Sequence, residues 1–456
     1  MPSMANTDPS GGATVADNGS VQALLALMLA VFTVSAGYGV MLPLLPYVVE
    51  QMTGDAGVAT VSRHTGLLTA VYTISLFLFA SRWGRLSDRF GRRRVILIGL
   101  LGFAVSMLVF AGTADLAALY AERFLSGLFA AAVTPVALAT VGDLVRDDAA
   151  RARRLTMVGL AGVSGFLLGP MLGVMIARML TEFPGRSGAA TSLAAPMAAA
   201  ALLALGAALA AMLTLPRTRS AGADTEVPSV AGGGRSIPVL LGLAFVVAAA
   251  IGVFEVGLAL RGKQELALAP YQIASMFTEC SLVMFAAQAL VFSPWTPPQH
   301  TRWLIAPALA LLVLGLLLVS AVSSYTGLLI AVAATAAGGG VLSPILTYWI
   351  STLAGTTQGA ELGRQTAATS LGQAVGSSAG GLLFGSSLFA GAPLVIVAAG
   401  ATLASVRLPA RLDQARPSFV IPEPSRRPCT GSLVRRRTCC ERSPRRVTTP
   451  LSLFGA

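Results

Sequence analysis

The segment Gly84-Arg85-Leu86-Ser87-Asp88-Arg89-Phe90-Gly91-Arg92-Arg93-Arg94 lies between two long apolar runs of the chain. Its arginines must stay in water, whereas both flanking runs are apolar enough to enter lipid. The segment is therefore predicted to be a short loop between two membrane-spanning helices. A cluster of arginines beside a span also arises as a positive-inside topology signal. Such a signal needs neither the two glycines nor Asp88 at these intervals.

The pattern G-x-x-x-D-R-x-G-R-R in this segment resembles the signature loop of the major facilitator superfamily of secondary transporters. The resemblance implies an all-α bundle of twelve transmembrane helices that works by alternating access. It also implies that Asp88 binds the cytoplasmic end of the eleventh helix and latches the outward-facing state. An acid near a helix N-terminus is favoured by the helix dipole. The implied gating residues are Gly84, Asp88, Arg89, Gly91, Arg92 and Arg93.

Composition independently indicates a polytopic membrane protein. The chain has 456 residues, of which 55% are hydrophobic and 11% charged, with a mean hydropathy of +0.74. A soluble domain carries roughly 25% charged residues. The formal net charge of +12 does not indicate nucleic-acid binding, because residues 407–456 alone hold 11 arginines against three acidic residues.

Twelve apolar runs are long enough to cross the hydrocarbon layer of about 30 Å. They form two predicted six-helix bundles, 21–215 and 237–406, joined by a polar linker at 216–236. The polar segment 1–20 and the arginine-rich tail 407–456 are predicted to be disordered, with the tail touching anionic lipid. The predicted spans are 21–46, 65–83, 94–112, 116–142, 155–179, 190–215, 237–259, 268–292, 303–322, 326–350, 365–388 and 391–406.

Charge in the loops predicts the orientation. Alternate loops hold fifteen arginines on one side and five Lys or Arg residues on the other. The positive-inside rule then puts both termini, the linker and the signature loop in the cytoplasm, in a multi-pass protein of the inner or plasma membrane.

The third, sixth, ninth and twelfth spans carry almost nothing polar in their middles. They are therefore predicted to form the perimeter of the bundle and to divide each half into two three-helix repeats.

The fourth span contains Tyr120-Ala121-Glu122-Arg123, which resembles a second motif of the superfamily. Arg123 cannot lose its proton, so it needs an anionic partner. Glu122 is its neighbour, but adjacent helical residues point about 100° apart, which predicts imperfect pairing. We interpret Glu122 and Arg123 as proton-coupling residues. The alternative is that both lie near the outer surface and are solvated.

The fifth span contains Gly165, Gly169, Pro170 and Gly173 in the order G-x-x-x-G-P-x-x-G. This resembles the motif of the antiporter branch of the superfamily, with Val174 in place of the last glycine. Gly165 and Gly169 predict close helix approach, and Pro170 predicts a bend.

Glu279 lies about eleven residues into the eighth span, which at roughly 1.5 Å per residue is near the midplane of the bilayer. Gln272 and Ser275 share its helical face, so all three are predicted to face a cavity. A lone carboxyl at this depth predicts proton exchange, and the alternative is a structural hydrogen bond between helices. Glu255, nearer the outer face, is a second proton-coupling candidate.

Further polar residues complete the predicted transport machinery. Tyr38 and Gln373 are predicted to line the cavity. By resemblance, Asp143 and Arg151 belong to the gating charge network. The triplet Gly338-Gly339-Gly340 before Pro344 predicts either an interrupted, mobile helix or close packing.

The sequence predicts proton-coupled efflux of small, amphipathic or drug-like compounds by a monomer. No phosphate-binding Gly-x-x-x-x-Gly-Lys-Ser/Thr loop is present, so an ion gradient is the expected energy source. The alternatives are a proton-coupled uptake symporter of a small metabolite and a non-transporting sensor or scaffold. The first span lacks an acid between Val21 and Pro46, where many drug exporters of the superfamily carry one, so the resemblance to exporters is weaker there. No enzymatic activity, nucleic acid, metal or cofactor is expected, and the partners are a small-molecule substrate, protons and membrane lipid.

Overall fold

The computed structural model describes residues 10–54, 57–111, 115–144, 148–181, 191–216, 236–291, 301, 303–354 and 358–385. Long helices account for nearly all of these residues, and the described part contains no strand. We call α1–α7 the first half and α8–α12 the second half. The helices are α1 (Ser10–Thr53), α2 (Val58–Phe90), α3 (Arg92–Phe110), α4 (Leu116–Ala130), α5 (Thr134–Leu144), α6 (Asp148–Thr181), α7 (Thr191–Thr214), α8 (Ser236–Gln264), α9 (Pro270–Val291), α10 (Ile305–Ala321), α11 (Tyr325–Ala354) and α12 (Gln358–Leu383).

Eleven of the predicted spans coincide with helices, the fourth being divided between α4 and α5. The predicted twelfth span, residues 1–9, most of the linker (217–235) and the tail lie outside the described residues. With α4 and α5 taken together, eight spans in the described chain are long and apolar enough to cross a membrane, and α10 is a shorter apolar helix. Helix α12 is not among these spans, and it carries a row of threonine, serine and glutamine residues.

The predicted loop at 84–93 is almost entirely helical, which corrects the sequence-based boundaries. Helix α2 continues through Phe90 and α3 begins at Arg92, so Gly91 alone separates them. Gly91 has φ 94°, a backbone conformation that side-chain-bearing residues rarely adopt. Its N–H donates to the Ser87 carbonyl at 3.0 Å. The second glycine of the signature is therefore required by the turn itself.

A stripe of glycines presses α6 against α1. A Cβ built on Gly169 would lie 2.5 Å from the carbonyl oxygen of Ala36, so only glycine permits this approach. Such small-residue faces let helix backbones come close together in a membrane. The other members of the stripe, Gly165 and Gly173, meet Phe32 and Val40 in the same way.

The same arrangement recurs in the second half, where α12 packs on α8. A Cβ on Gly376 would collide with the carbonyl oxygen of Ala249. The residues repeat in kind, with glycines of one helix against phenylalanine, alanine and valine of the other at intervals of four. The outer members of this second stripe, Gly372 and Gly380, meet Phe245 and Val253.

The two halves contact each other through α2 with α12 and through α6 with α9. A close backbone approach joins Gly66 to Gly381, since a Cβ on Gly66 would lie 2.7 Å from the Cα of Gly381. Helices α3 and α7, two of the predicted perimeter helices, pack on each other. They expose large apolar side chains such as Val105, Leu202 and Leu213.

The glycine triplet of α11 lies within a continuous helix rather than at an interruption. Successive helical residues point about 100° apart, so each glycine faces a different neighbour. A Cβ on Gly338 would meet the backbone of Leu312 in α10, one on Gly339 the side chain of Ile251 in α8, and one on Gly340 the backbone of Met284 in α9. Of the two alternatives, the described contacts favour close packing.

Replacing Gly376 with alanine should lower the thermal stability of the detergent-purified protein. The added methyl group forces α12 off the Ala249 carbonyl, and overpacking of this kind costs about 1–3 kcal/mol. Gly363→Ala is the matched control in the same helix, because a Cβ there meets nothing within 4 Å. The control should keep or raise the melting temperature, since alanine is the better helix former. Equal melting temperatures for the two variants would contradict the close-packing role.

Candidate functional site

A cavity of about 170 Å³ lies at the centre of the bundle, bordered by helices of both halves. An apolar cavity of roughly 150 Å³ is large enough to hold a benzene molecule. Most of its wall comes from α1, α2 and the α4–α5 region of the first half. Its lining residues are Val34, Ser35, Tyr38, Tyr72, Thr73, Leu76, Ala130, Thr134, Phe166 and Gln373.

The carboxyl of Glu255 is held directly behind this wall. Its Oε2 accepts hydrogen bonds from the Tyr38 hydroxyl at 2.8 Å and from the Gln373 side-chain amide at 3.0 Å. The same amide also donates to the Tyr38 hydroxyl at 3.2 Å. Glu255 is only 4% exposed, and none of the ion pairs among the described residues includes it. Its hydrogen bonds therefore join α8 and α12 to α1 across the two halves.

Three aromatic rings are among the groups that line the cavity. The Tyr38 ring stacks on Tyr72, with centroids 4.9 Å apart, and on Phe166, with centroids 6.0 Å apart. Offset stacks of this kind are favourable. The Tyr38 side chain thus joins two chemical surfaces, an aromatic one through its ring and a carboxyl one through its hydroxyl.

Arg123 and Glu122 form a buried ion pair, so the expectation that they are imperfect partners is wrong. The Arg123 Nη2 donates to Glu122 Oε1 at 2.8 Å, and its Nε donates to Oε2. Their backbone directions diverge, but both side chains are long enough to bend together. The side chains are 2% and 0% exposed, which also excludes the alternative that they are solvated. The guanidinium lies 5.7 Å from the centroid of the Tyr72 ring.

The break between α4 and α5 lies beside the cavity. Pro135 has no N–H, so the carbonyl of Ala131 lacks the usual helical donor four residues later. The indole N–H of Trp83 donates to the Leu128 carbonyl at 2.8 Å, just before the break. Ala130 and Thr134, on either side of it, line the cavity. The predicted span 116–142 is thus two helices and not one, and the Thr134-Pro135 pair is the sequence signal for the break.

Glu279 is half-buried and does not line the cavity. Its Oε2 is buried without a hydrogen-bond partner among the described residues. Gln272 and Ser275 are used in the first turn of α9: the Gln272 side chain accepts the Ala269 N–H at 2.9 Å, and the Ser275 hydroxyl donates to the Gln272 carbonyl at 2.7 Å. The structure therefore brings Glu255 together with Tyr38 and Gln373. The predicted set of Gln272, Ser275 and Glu279 does not join them.

The signature residues form a charge network within the first half. Arg92 pairs with Asp88 at 2.6 Å and with Asp143 at 3.0 Å. In this structure Asp88 is thus paired within its own half. Arg93 donates to the Met212 carbonyl at the end of α7. Gly84 lies within α2, Arg89 is exposed in its last turn, and the side chain of Arg151 lies outside the described residues.

Comparison with known proteins assigns the family. The model of the Major Facilitator Superfamily matches residues 27–357. The chain belongs to the Major Facilitator Superfamily. It is accordingly a multi-pass integral membrane protein and a secondary transporter, and not an enzyme. Within the described part of the chain, no three His, Cys, Asp or Glu side chains are grouped so that they could hold a metal ion.

The relatives include distant drug-resistance proteins. The chain is 26% identical to multidrug resistance protein 2 of Bacillus subtilis over 364 residues, covering 79% of this chain and 88% of that protein. It is 33% identical to the class C tetracycline resistance protein of Escherichia coli, over 36% of this chain and 40% of that protein.

Solved structures share the fold. The human organic anion transporter MFSD10 (TETRAN) has a TM-score of 0.63 at 22% identity, covering 84% of this chain and 99% of that one. A bacterial homologue of the human lysosomal transporter Spinster, in an inward-facing and occupied conformation, has a TM-score of 0.61 at 15% identity, covering 86% and 96%.

Glu122→Gln should destabilise the protein strongly, because it leaves the Arg123 guanidinium buried without its carboxylate. Removing one partner of a buried ion pair costs about 3–5 kcal/mol. The double variant Glu122→Gln/Arg123→Met should recover most of the melting temperature, since no charge is then left unpaired. Thermal unfolding in detergent measures both. A double variant less stable than the single one would show that the pair is not held by mutual neutralisation.

Proposed function

We propose that this transporter exports small, flat, cationic compounds in exchange for protons. The observation that carries the proposal is the Glu255 carboxyl, which is buried beside the central cavity and has no cationic partner among the described ion pairs. An ionisable group at such depth in a membrane protein is costly and is by default functional. The distant similarity to multidrug and tetracycline resistance proteins supports export.

The charges around the cavity favour a cationic substrate. None of the lining side chains is basic, and the nearby Arg123 is already neutralised by Glu122. The ionised form of Glu255 therefore makes the cavity net negative. Aromatic rings attract organic cations through their π-systems, and Tyr38, Tyr72 and Phe166 are among the residues that line the cavity.

Exchange follows if a proton and the substrate compete for the same carboxyl. A protonated Glu255 no longer offers a negative charge, so the substrate leaves. A deprotonated Glu255 attracts the next cation. Because Tyr38 belongs to the first half, and Glu255 and Gln373 to the second, a ligand that disturbs their hydrogen bonds acts on the contact between the halves. A ligand shifts a two-state equilibrium by its differential affinity for the two states.

Two sequence motifs bear on export from the cytoplasm, the signature segment and the glycine stripe of α6. Under the positive-inside rule the signature segment and Asp143 face the cytoplasm. The glycine stripe of α6 is the part of the chain that resembles the antiporter motif. In the present structure this stripe packs α6 on α1, the helix that carries Tyr38. We therefore assign the motif a supporting role for the position of Tyr38.

Glu255→Gln should abolish transport driven by a pH gradient, because a carboxamide neither binds nor releases a proton at the pH values of the assay. Purified protein in liposomes with an internal pH dye, exposed to a panel of aromatic ammonium and phosphonium compounds, measures proton and substrate movement together. Asp115→Asn is the matched control, since asparagine replaces aspartate equally well as the N-cap of α4. Glu279→Gln should retain coupling.

Two results would contradict the proposal. Unchanged proton-coupled flux in Glu255→Gln would remove this carboxyl from the coupling step, and loss of coupling in Glu279→Gln alone would transfer the role to that residue. Movement of protons in the same direction as the substrate would make the protein a symporter.

The charge of the substrate should matter more than its shape. A quaternary aromatic ammonium compound should have an inhibition constant at least about fivefold lower than that of its neutral tert-butyl analogue, given about 1 kcal/mol for a cation on an aromatic face. The comparison is a competition assay in the same liposomes, with the two compounds inhibiting uptake of one labelled cation. Equal inhibition by the neutral analogue would contradict a cation site.

A further inference from the structure

Lys263 lies at the last turn of α8, at the end of the bundle opposite the signature segment. Its ammonium group forms an ion pair with Glu50, near the end of α1 in the other half. It also donates to the Pro46 carbonyl at 3.0 Å and lies 5.0 Å from the centroid of the Tyr47 ring. A single side chain of the second half is thus bound by three groups of the first.

This ion pair differs from an ordinary surface pair. The Lys263 side chain is only 8% exposed, whereas Glu50 is 57% exposed. Exposed pairs contribute little to stability. Here, the ammonium is enclosed by a backbone carbonyl and an aromatic face, so it gives up water for fixed partners that exist only while the two halves are in contact.

Neighbouring contacts at the same end also join the halves. The Tyr47 hydroxyl donates to the Leu268 carbonyl. The Ser62 hydroxyl lies 3.4 Å from the Gln264 side-chain oxygen. The close approach of Gly66 to Gly381 belongs to this end as well. By contrast, both ion pairs of Arg92 at the signature end remain within the first half.

We propose that Lys263 and Glu50 are gating residues, and that their ion pair closes the transport pathway at the end opposite the signature segment. Alternating access requires the halves to separate at this end in the other state. Every contact of Lys263 named above is to the first half, so all of them are lost in one step. The pair therefore biases the equilibrium between the two states rather than the stability of either half.

The test measures the opening of this end directly. Spin labels are placed on cysteines at the exposed positions Gln51 and Ala267, one in each half, in the full chain with its four native cysteines replaced by alanine. Pulsed electron paramagnetic resonance in liposomes then gives the distribution of distances between the two labels, without substrate or a proton gradient. The result consequently does not depend on which compound or ion is transported.

Lys263→Met should raise the ratio of long to short distances by about fivefold, the effect of losing about 1 kcal/mol of ion-pair and cation–π interaction. Lys263→Arg, which keeps the charge, should leave the ratio near that of the unaltered protein. Glu50→Lys should raise it at least as much as Lys263→Met. The charge-swapped variant Glu50→Lys/Lys263→Glu should bring the ratio part of the way back, because a carboxylate at position 263 regains the ion pair but not the contacts with the Pro46 carbonyl and the Tyr47 ring.

Restoration by the charge swap separates gating from a merely structural role, because a variant that packs poorly would not be repaired by a second charge reversal. An unchanged distance distribution in Lys263→Met would overturn the proposal. So would a charge-swapped variant that stays as open as Glu50→Lys while remaining monodisperse.

Discussion

The structure depends on the close approach of helix backbones through two rows of glycines. In lipid the hydrophobic effect does not drive helices together, so van der Waals contact between closely packed helices becomes a main source of cohesion. Helices α6 and α12 each present three glycines, four residues apart, to the backbone of α1 and α8. This fixes the position of Tyr38 on α1 and of Glu255 on α8. The polar contact at the centre is possible because these two helix pairs hold their positions.

The two halves share a packing pattern but not its chemistry. When Gly165 is set against Gly372, the next residues are Phe166 and Gln373. When Val40 is set against Val253, the residues two positions later are Leu42 and Glu255. The second half therefore places an amide and a carboxyl at positions where the first half has apolar side chains. The site is therefore asymmetric although the helix packing around it is repeated. Phe166, the counterpart of Gln373, contributes to the site by stacking on Tyr38.

Much of the fold was predictable from hydropathy, because each span must be apolar over the thickness of the bilayer. Hydropathy does not predict where α1 and α2 end, because both helices continue into polar sequence that a hydropathy window excludes. Hydropathy also does not reveal the α4–α5 break, for which Thr134-Pro135 is the sequence signal. The candidate site was predicted less well. Depth along the span favoured Glu279, but depth does not say which way a side chain points or what faces it. The pairing of Glu255 with Gln373 and Tyr38 joins three distant stretches of chain. From the sequence alone, Lys263 is only one of the loop charges that indicate orientation.

The lone carboxyl at the cavity has an electrical consequence. In the proposed exchange, Glu255 carries either one proton or one monovalent cation, and the neighbouring Arg123 and Glu122 cancel each other. A cycle that trades one positive charge for another moves no net charge through the bilayer. Transport of a monovalent cation would then respond to the difference in proton concentration and be indifferent to membrane voltage, whereas export of a divalent cation against a single proton would work against an inside-negative potential.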